Sequence, residues 1–284
     1  MSSLKLPPIH IHPILFFFLL VAIFTGMLVE FFIIFLIVSI HELGHYICAR
    51  VFKWRIRRIF LWIFGGVMET DEYGTRPIRE EFLVTIAGPL QHIWIYFIIY
   101  MLDAGSLLPE STLVLAYQYN TFILVGNLLP IWPLDGGKLV QLSLDSFFSF
   151  QVSHKWMIMI SVVTIVFVSF YVYSQAWLSL SFVLLMIFLI WENRLEWKRR
   201  YFKWWRFLWS RYSETTKFRK QREIEVSASI SLLDLFRLFK RDTFHRIKVY
   251  DQDGKVYWLS ERDCLQSYFD QKNIHLVVGQ LLTG

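Results

Sequence analysis

Cysteine is nearly absent from this chain, with two residues in 284. Cys48 sits in an apolar stretch and Cys264 in a polar one. That count excludes a disulfide framework and any cysteine-type zinc site. Charge is also scarce, at 18% of residues, against 55% hydrophobic and 18% aromatic, with a mean hydropathy of +0.44. An ordinary soluble domain is thereby excluded. The composition predicts a polytopic α-helical membrane protein with a small soluble part. The first apolar stretch has no small-residue cleavage site, so it reads as a retained span and not as a signal peptide.

Six apolar stretches approach the roughly 20 residues that a membrane span needs. They cover 13–29, 31–48, 82–102, 113–132, 156–173 and 176–191. Lysine and arginine are missing from three connections: around Glu30, over 103–112, and at Ser174-Gln175. They crowd the others, as Lys53, Arg55, Arg57, Arg58, Arg76 and Arg79, then Lys138 and Lys155, then a dense run after Trp191. Positive charge stays on the cytosolic side of membranes, so both termini are expected in the cytosol. The net charge of +6 therefore reports topology and not nucleic-acid binding. Pro130, Pro133, Gly136 and Gly137 resist helix and predict that the fourth span ends early or breaks.

Three parts are expected along the chain: a membrane domain over 1–192, a basic aromatic linker over 193–222, and a soluble unit over 223–284. The linker interleaves Lys and Arg with Trp, Tyr and Phe, which suits either an anionic leaflet or a solvated flank. The last part predicts a strand over 223–226, a helix over 231–240, strands over 247–250 and 256–259 joined at Asp253-Gly254, and a helix over 260–269. Ser260 and Asp263 are spaced as a capping box for that helix.

The chemistry lies in His41-Glu42-Leu43-Gly44-His45, inside the apolar run 31–48. A charged residue at mid-membrane costs roughly 3 kcal/mol on insertion scales, so such groups are functional by default. His41 and His45 are four apart, so on a helix both imidazoles leave one face and can grip one metal ion. Glu42 is beside them as a general base. Catalytic zinc takes three protein ligands, so a third must come from elsewhere. Asp135 is the best candidate, set among the helix breakers of Asn127-Leu128-Leu129-Pro130-Ile131-Trp132-Pro133-Leu134-Asp135-Gly136-Gly137. The bland alternatives are helix packing for the histidines, and a cap or a partnership with Lys138 for Asp135. His92 lies mid-span and suits packing or support of a ligand better than ligation. His10, His12, His154, His245 and His275 read as structural or surface residues.

The two motifs together resemble the site-2 protease family of intramembrane zinc metalloproteases, over about residues 10–190. Phe64-Gly65-Gly66-Val67 and Ala87-Gly88-Pro89-Leu90-Gln91-His92 resemble one branch of it. The resemblance implies one Zn²⁺ per chain on His41, His45 and Asp135, with Glu42 as the catalytic base. It implies substrate contacts at Asn127, Gly65, Gly66 and Pro133. The glycine-paired segment 61–70 is a candidate re-entrant hairpin offering an edge strand to an extended substrate. The soluble unit, with Val249-Tyr250-Asp251, Gly254-Lys255-Val256 and Ser260-Glu261-Arg262-Asp263, resembles a CBS domain. That implies ATP as a candidate regulator, Asp263 as a candidate nucleotide contact, and association of chains through this unit; Tyr257-Trp258, where such domains carry glycine, departs from the pattern.

Six spans followed by one CBS-like unit are most similar to the sporulation branch found in endospore-forming bacilli. That branch implies a membrane-tethered pro-sigma factor as substrate, membrane-protein inhibitors or regulators, and residence in the mother-cell membrane around the forespore. Two other classes compete. A transporter also uses broken helices with buried charge, but the chain shows no internal inverted repeat. A protease-like binding protein would not need the intact Glu42 and both histidines.

Overall fold

The structure is a computed structural model describing residues 9–11, 13–62, 65–70, 72, 74–213, 220–251, 254–271 and 277–282, with only the backbone of 9, 11, 14, 59–62 and 65–67. The chain divides into two compact units. The first takes in Met1–Tyr73, Glu80–Pro130 and Leu134–Leu139; the second takes in Gly74–Arg79, Ile131–Pro133 and Val140–Gly284.

Among the described residues the first unit contains α1 (Pro13–Thr25), α2 (Leu28–Val51), α3 (Ile78–Ala104) from Glu80 onward, α4 (Glu110–Leu128) and the opening of α5 (Asp135–Phe147). Among the described residues, α2, α3 and α6 (Phe150–Ser174) are long and apolar enough to cross a membrane, and α1 supplies a shorter apolar helix. Their packing is inside-out relative to a soluble bundle. Helix α2 buries Ile37, His41, Gly44, His45 and Ala49, spaced to lie on one face, while Phe32, Leu36, Leu43, Ile47 and Val51 face outward. Helix α3 likewise buries Glu81, Thr85, Gly88 and His92 and exposes Phe82, Leu90, Ile93, Trp94 and Phe97. Lipid tails solvate large apolar side chains, so small and polar residues gain most from turning inward.

A three-stranded sheet accompanies these helices, in the order β1 (Ile9–Ile11), β2 (Ile56–Trp62), β3 (Gly65–Thr70). Strands β1 and β2 are parallel; β2 and β3 form an antiparallel hairpin. Strand β3 lies at the sheet's edge and packs on α2.

The second unit contains the rest of α5, α6, α7 (Leu180–Tyr212), β4 (Lys220–Ser227), α8 (Leu232–Arg237), β5 (Thr243–Tyr250), β6 (Val256–Ser260), α9 (Glu261–Gln271) and a short 3-10 helix. The order β-α-β-β-α is the one expected, with β4–β5 parallel and β5–β6 antiparallel. Gly254 has φ +75°, while Asp253 of the expected turn lies outside the described residues. Ser231 and Ser260 cap their helices: Asp234 N donates to Ser231 Oγ at 3.1 Å, and Asp263 N to Ser260 Oγ at 3.1 Å. Ser260 N donates back to Asp263 Oδ2 at 3.2 Å, completing the reciprocal pair.

The stretch expected as a linker is helical up to Tyr212. Residues 193–212 continue α7 without a break, and one face joins a hydrophobic core. Trp204, Phe207 and Leu208 pack with Phe150, Val226, Leu235, Phe236, Phe239, Ile247 and Leu265. The spacing 204, 207, 208 is a helical stripe hidden among basic residues, so these three side chains belong to a protein core, while Trp197, Tyr201, Phe202 and Trp209 of the same stretch are exposed. Two histidines read as surface or structural are buried beside carboxylates. His154 meets Glu196 at 2.9 Å, and His245 meets Glu261 at 2.8 Å.

Candidate metal centre

Helix α2 delivers His41 and His45 to one side, one turn apart, as their spacing requires. Asp135 arrives from α5, whose first residue it is. The sequence places this carboxylate among helix breakers. In the structure α4 stops at Leu128, the chain turns through 129–134, and α5 begins at Asp135. Gly136 is required there because a Cβ would stand 2.3 Å from the carbonyl oxygens of Leu128 and Leu129. The glycine thus lets the start of α5 nest against the end of α4. Close approach also explains two glycines beside the histidines. A Cβ on Gly44 would lie 2.5 Å from Ala87 O, and one on Gly88 would lie 2.2 Å from His45 Nε2. Helices α2 and α3 therefore approach closely at these two glycines, as small residues permit.

Three atoms meet at the resulting point. His41 Nε2 and Asp135 Oδ2 are 3.1 Å apart, His45 Nε2 and Asp135 Oδ2 3.0 Å, and the two Nε2 atoms 3.1 Å. All three residues are at most 5% exposed. Ligands held at 2.0–2.1 Å by a tetrahedral ion stand about 3.3–3.4 Å apart, close to this triangle. A carboxyl oxygen of Glu42 and ring nitrogens of His41 and His45 lie within 4.8 Å of one another. Lys138 Nζ holds the other oxygen, Oδ1 of Asp135, at 3.1 Å. Asp135 therefore meets the Lys138 partner and the histidines together, one oxygen to each.

The outer nitrogens decide what the inner ones are. His45 Nδ1 is 2.8 Å from Val84 O, an acceptor only, so this nitrogen carries the proton. His41 Nδ1 is 3.1 Å from His92 Nε2. His92 Nδ1 is 2.6 Å from Asn120 Oδ1. In neutral imidazoles so arranged, both Nε2 atoms of the HELGH pair present lone pairs to a carboxylate oxygen. Three acceptors then face one point. One proton can bridge one pair of them, whereas a dication satisfies all three, so the donor set fits zinc.

Of the other candidate residues, Gly65 and Gly66 open β3, opposite Trp62 and Leu61. Asn127 lies in the last turn of α4, where its amide nitrogen donates to Ile123 O at 3.1 Å. Pro133 lies in the turn before α5 and Asp263 at the start of α9. Cys48, one turn past His45, is half-buried in α2. Asn120 was not singled out by its sequence: Gln118-Tyr119-Asn120-Thr121 carries no motif. An asparagine inside the apolar stretch 113–132 is the sequence signal that could have found it; in the structure it is fully buried in α4.

Comparison with known proteins bears on this geometry. The profile of Peptidase family M50 matches residues 29–108 and 104–171. Over 280 residues the chain is 38% identical to Stage IV sporulation protein FB of Bacillus subtilis (strain 168), covering 96% of each chain. Over 158 residues it is 28% identical to a zinc metalloprotease of Methanocaldococcus jannaschii, covering 52% of this chain and 46% of that one. Among solved structures, a site-2 protease from Methanocaldococcus jannaschii superposes with a TM-score of 0.53 at 23% identity, covering 69% of this chain and 93% of that one. This last likeness is one of fold.

Proposed function

The chain belongs to peptidase family M50 and is a membrane metalloprotease; from that premise we propose that His41, His45 and Asp135 hold one zinc ion and that Glu42 is the general base. The observation that carries the assignment is the convergence of three buried acceptors within 3.0–3.1 Å of one another. When bound, zinc supplies Lewis-acid polarisation of water and of a substrate carbonyl. The protein's own residues do the rest. Glu42 takes the proton of the attacking water and returns it to the leaving amine. Val84 O holds the His45 ring by its Nδ1–H. Lys138 holds Asp135 through the oxygen not shared with the histidines.

The substrate must be extended, because a helix hides its carbonyls. The position of β3 at the sheet's edge, packed on the helix that bears His41, supports Gly65 and Gly66 as part of a strand-pairing surface. Asn127 and Pro133 are the further proposed substrate contacts. The natural substrate in this reading is a membrane-tethered pro-sigma factor, cleaved during sporulation in the mother-cell membrane under the control of membrane-protein inhibitors. The identity to a sporulation protein over 96% of the chain favours that reading.

The finer architecture is proposed with it: six spans, cytosolic termini, a membrane domain over 1–192, a connecting segment over 193–222 and a CBS-like unit over 223–284. The β-α-β-β-α order supports the last. ATP as regulator, contact at Asp263 and association of chains through this unit complete the proposal. Asp263→Asn keeps an acceptor for the cap but removes the charge, so it isolates any nucleotide contact. An ATP response unaltered by that variant counts against the contact.

Zinc content and cleavage of a tethered pro-sigma factor, measured with purified protein in lipid vesicles, test the main claim. The parent protein is expected to hold one zinc and cleave; His41→Ala and His45→Ala are expected to do neither. Full zinc occupancy in either variant overturns the ligand assignment.

A further inference from the structure

The side of His41 turned away from the ligand triangle is buried. It meets a second imidazole, His92 of α3, which in turn meets Asn120 of α4. Both residues are 0% exposed. The contacts form one line: His41 Nδ1 to His92 Nε2 at 3.1 Å, then His92 Nδ1 to Asn120 Oδ1 at 2.6 Å. The far end is oriented independently. Asn120 Nδ2 donates to the His92 backbone carbonyl at 3.3 Å, which leaves Oδ1 facing the ring.

That orientation propagates inward. An amide oxygen only accepts, so His92 Nδ1 bears the proton and donates it to Asn120. His92 Nε2 is then a lone pair, and the only partner it can serve is a donor, His41 Nδ1–H. With its proton committed on Nδ1, His41 must present a lone pair from Nε2, the atom beside His45 and Asp135. The proton positions follow from the hydrogen-bond network. Donation from the outer nitrogen of a ligating histidine fixes its tautomer and ring angle and raises its basicity.

We propose that Asn120 and His92 are positioning residues, a buried chain that selects the Nδ1–H tautomer of His41 and aims its Nε2 lone pair at the metal site. The inference rests on the metal-centre reading above. It assigns His92 no ligation, since its Nε2 is turned to His41 Nδ1 and not into the triangle. It also explains why a histidine of α3 and an asparagine of α4 stand fully buried: each satisfies the other.

The test compares two replacements of His92. Phenylalanine keeps a flat ring without an acceptor. Glutamine can put an amide oxygen near the place of Nε2 and so still accept from His41. Zinc affinity by chelator competition and the visible spectrum of the cobalt(II)-substituted protein are the readouts, with thermal unfolding of the metal-free form as control. His92→Phe is expected to weaken zinc about 10–100-fold and to change the cobalt spectrum; His92→Gln is expected to restore most of both. Parental zinc affinity in His92→Phe overturns the proposal, and so does a His92→Gln loss as deep as that of His92→Phe. If His92→Phe fails to fold, Asn120→Asp and Asn120→Leu decide. The aspartate, which keeps an acceptor, is expected to bind zinc more tightly than the leucine, and equal affinities overturn the chain. Zinc retained in His41→Ala would instead defeat the metal centre itself; a zinc-free His41→Ala beside a neutral His92→Phe would defeat only the positioning chain.

Discussion

Each of the two units buries a cluster built from histidine and carboxylate, and the two clusters keep opposite accounts of donors and acceptors. In the second unit, Glu261 accepts from Arg211 with one oxygen and from His245 with the other, through both its backbone N–H at 3.0 Å and its Nδ1–H at 2.8 Å. His245 Nε2 then accepts from Lys240 N at 3.2 Å. Arg211 also donates to the carbonyls of Lys240 and Thr243. Every acceptor named here has a donor. At the proposed metal site, by contrast, the outer nitrogens of His41 and His45 both have partners and the three inner atoms are all acceptors. Residue type alone does not separate a structural histidine from a ligand; the partner of its second nitrogen does.

The strongest way to break this contrast is to remove an acceptor from the open cluster. His45→Ala or Asp135→Asn is expected to abolish cleavage and strip or sharply weaken zinc, without lowering the unfolding temperature of the second unit. Metal analysis beside calorimetry checks it, and a metal-replete Asp135→Asn would move the third ligand elsewhere.

Next in size is Glu42→Gln. It is expected to keep zinc and cut cleavage by about 10²–10⁴-fold, the usual contribution of a general acid–base group. Turnover near the parent rate, read in a single-turnover assay, would take Glu42 out of the chemistry.

The closed cluster should answer in stability instead. Arg211→Met leaves Glu261 buried without its cation and is expected to cost the second unit about 3–5 kcal/mol. Zinc affinity should stay at the parent value; a drop comparable to that of a ligand variant would show that the two clusters are not separate in function.

Acid sharpens the same point. Burial alone would raise the Glu261 carboxyl, but Arg211 and His245 outweigh it and hold it below the ordinary carboxylate range. Burial pushes His245 below the usual histidine value. Both folded values are depressed, so both contributions are complete above the unfolded values of about 6.5 for His and 4.3 for Glu. They are lost as the pH falls through the lowered folded values. The unfolding temperature of the second unit should therefore decline from about pH 6.5 downward and most steeply below about pH 4. A flat profile in that window would contradict the paired geometry.

The smallest effect is chemical. Burial, with Asp263 and Glu261 nearby, pushes the Cys264 thiol up to about 12. Only the thiolate alkylates readily, so iodoacetamide should label Cys264 at neutral pH only as fast as the second unit opens. Arg211→Met should accelerate that labelling, and rapid labelling of the folded parent protein would refute the burial.

Much of this protein was legible in its residues. A pair of histidines at i and i+4 shares one helical face whatever surrounds them, so His41 and His45 follow from the period of the α-helix. Helix breakers around Asp135 announced the turn that ends α4. The β-α-β-β-α order followed from alternation, caps and the Asp-Gly pair. Less legible was α7, where Trp204, Phe207 and Leu208 form a core stripe masked by the lysines and arginines between them. Composition averages over a helix, whereas burial depends on its faces.

What the sequence determined by itself is therefore whatever depends on local period and on the cost of charge in lipid: the membrane class, the histidine pair on one face of α2 and the candidate carboxylate. Tertiary structure alone decided which atoms of those side chains meet. The approach of Gly44 to Ala87 and of Gly88 to His45, and the 51-residue separation of His41 from His92, are contacts between helices that no local pattern encodes. Whether a nitrogen is a donor or a lone pair depends on such a contact, because the imidazole proton goes to the side where an acceptor waits.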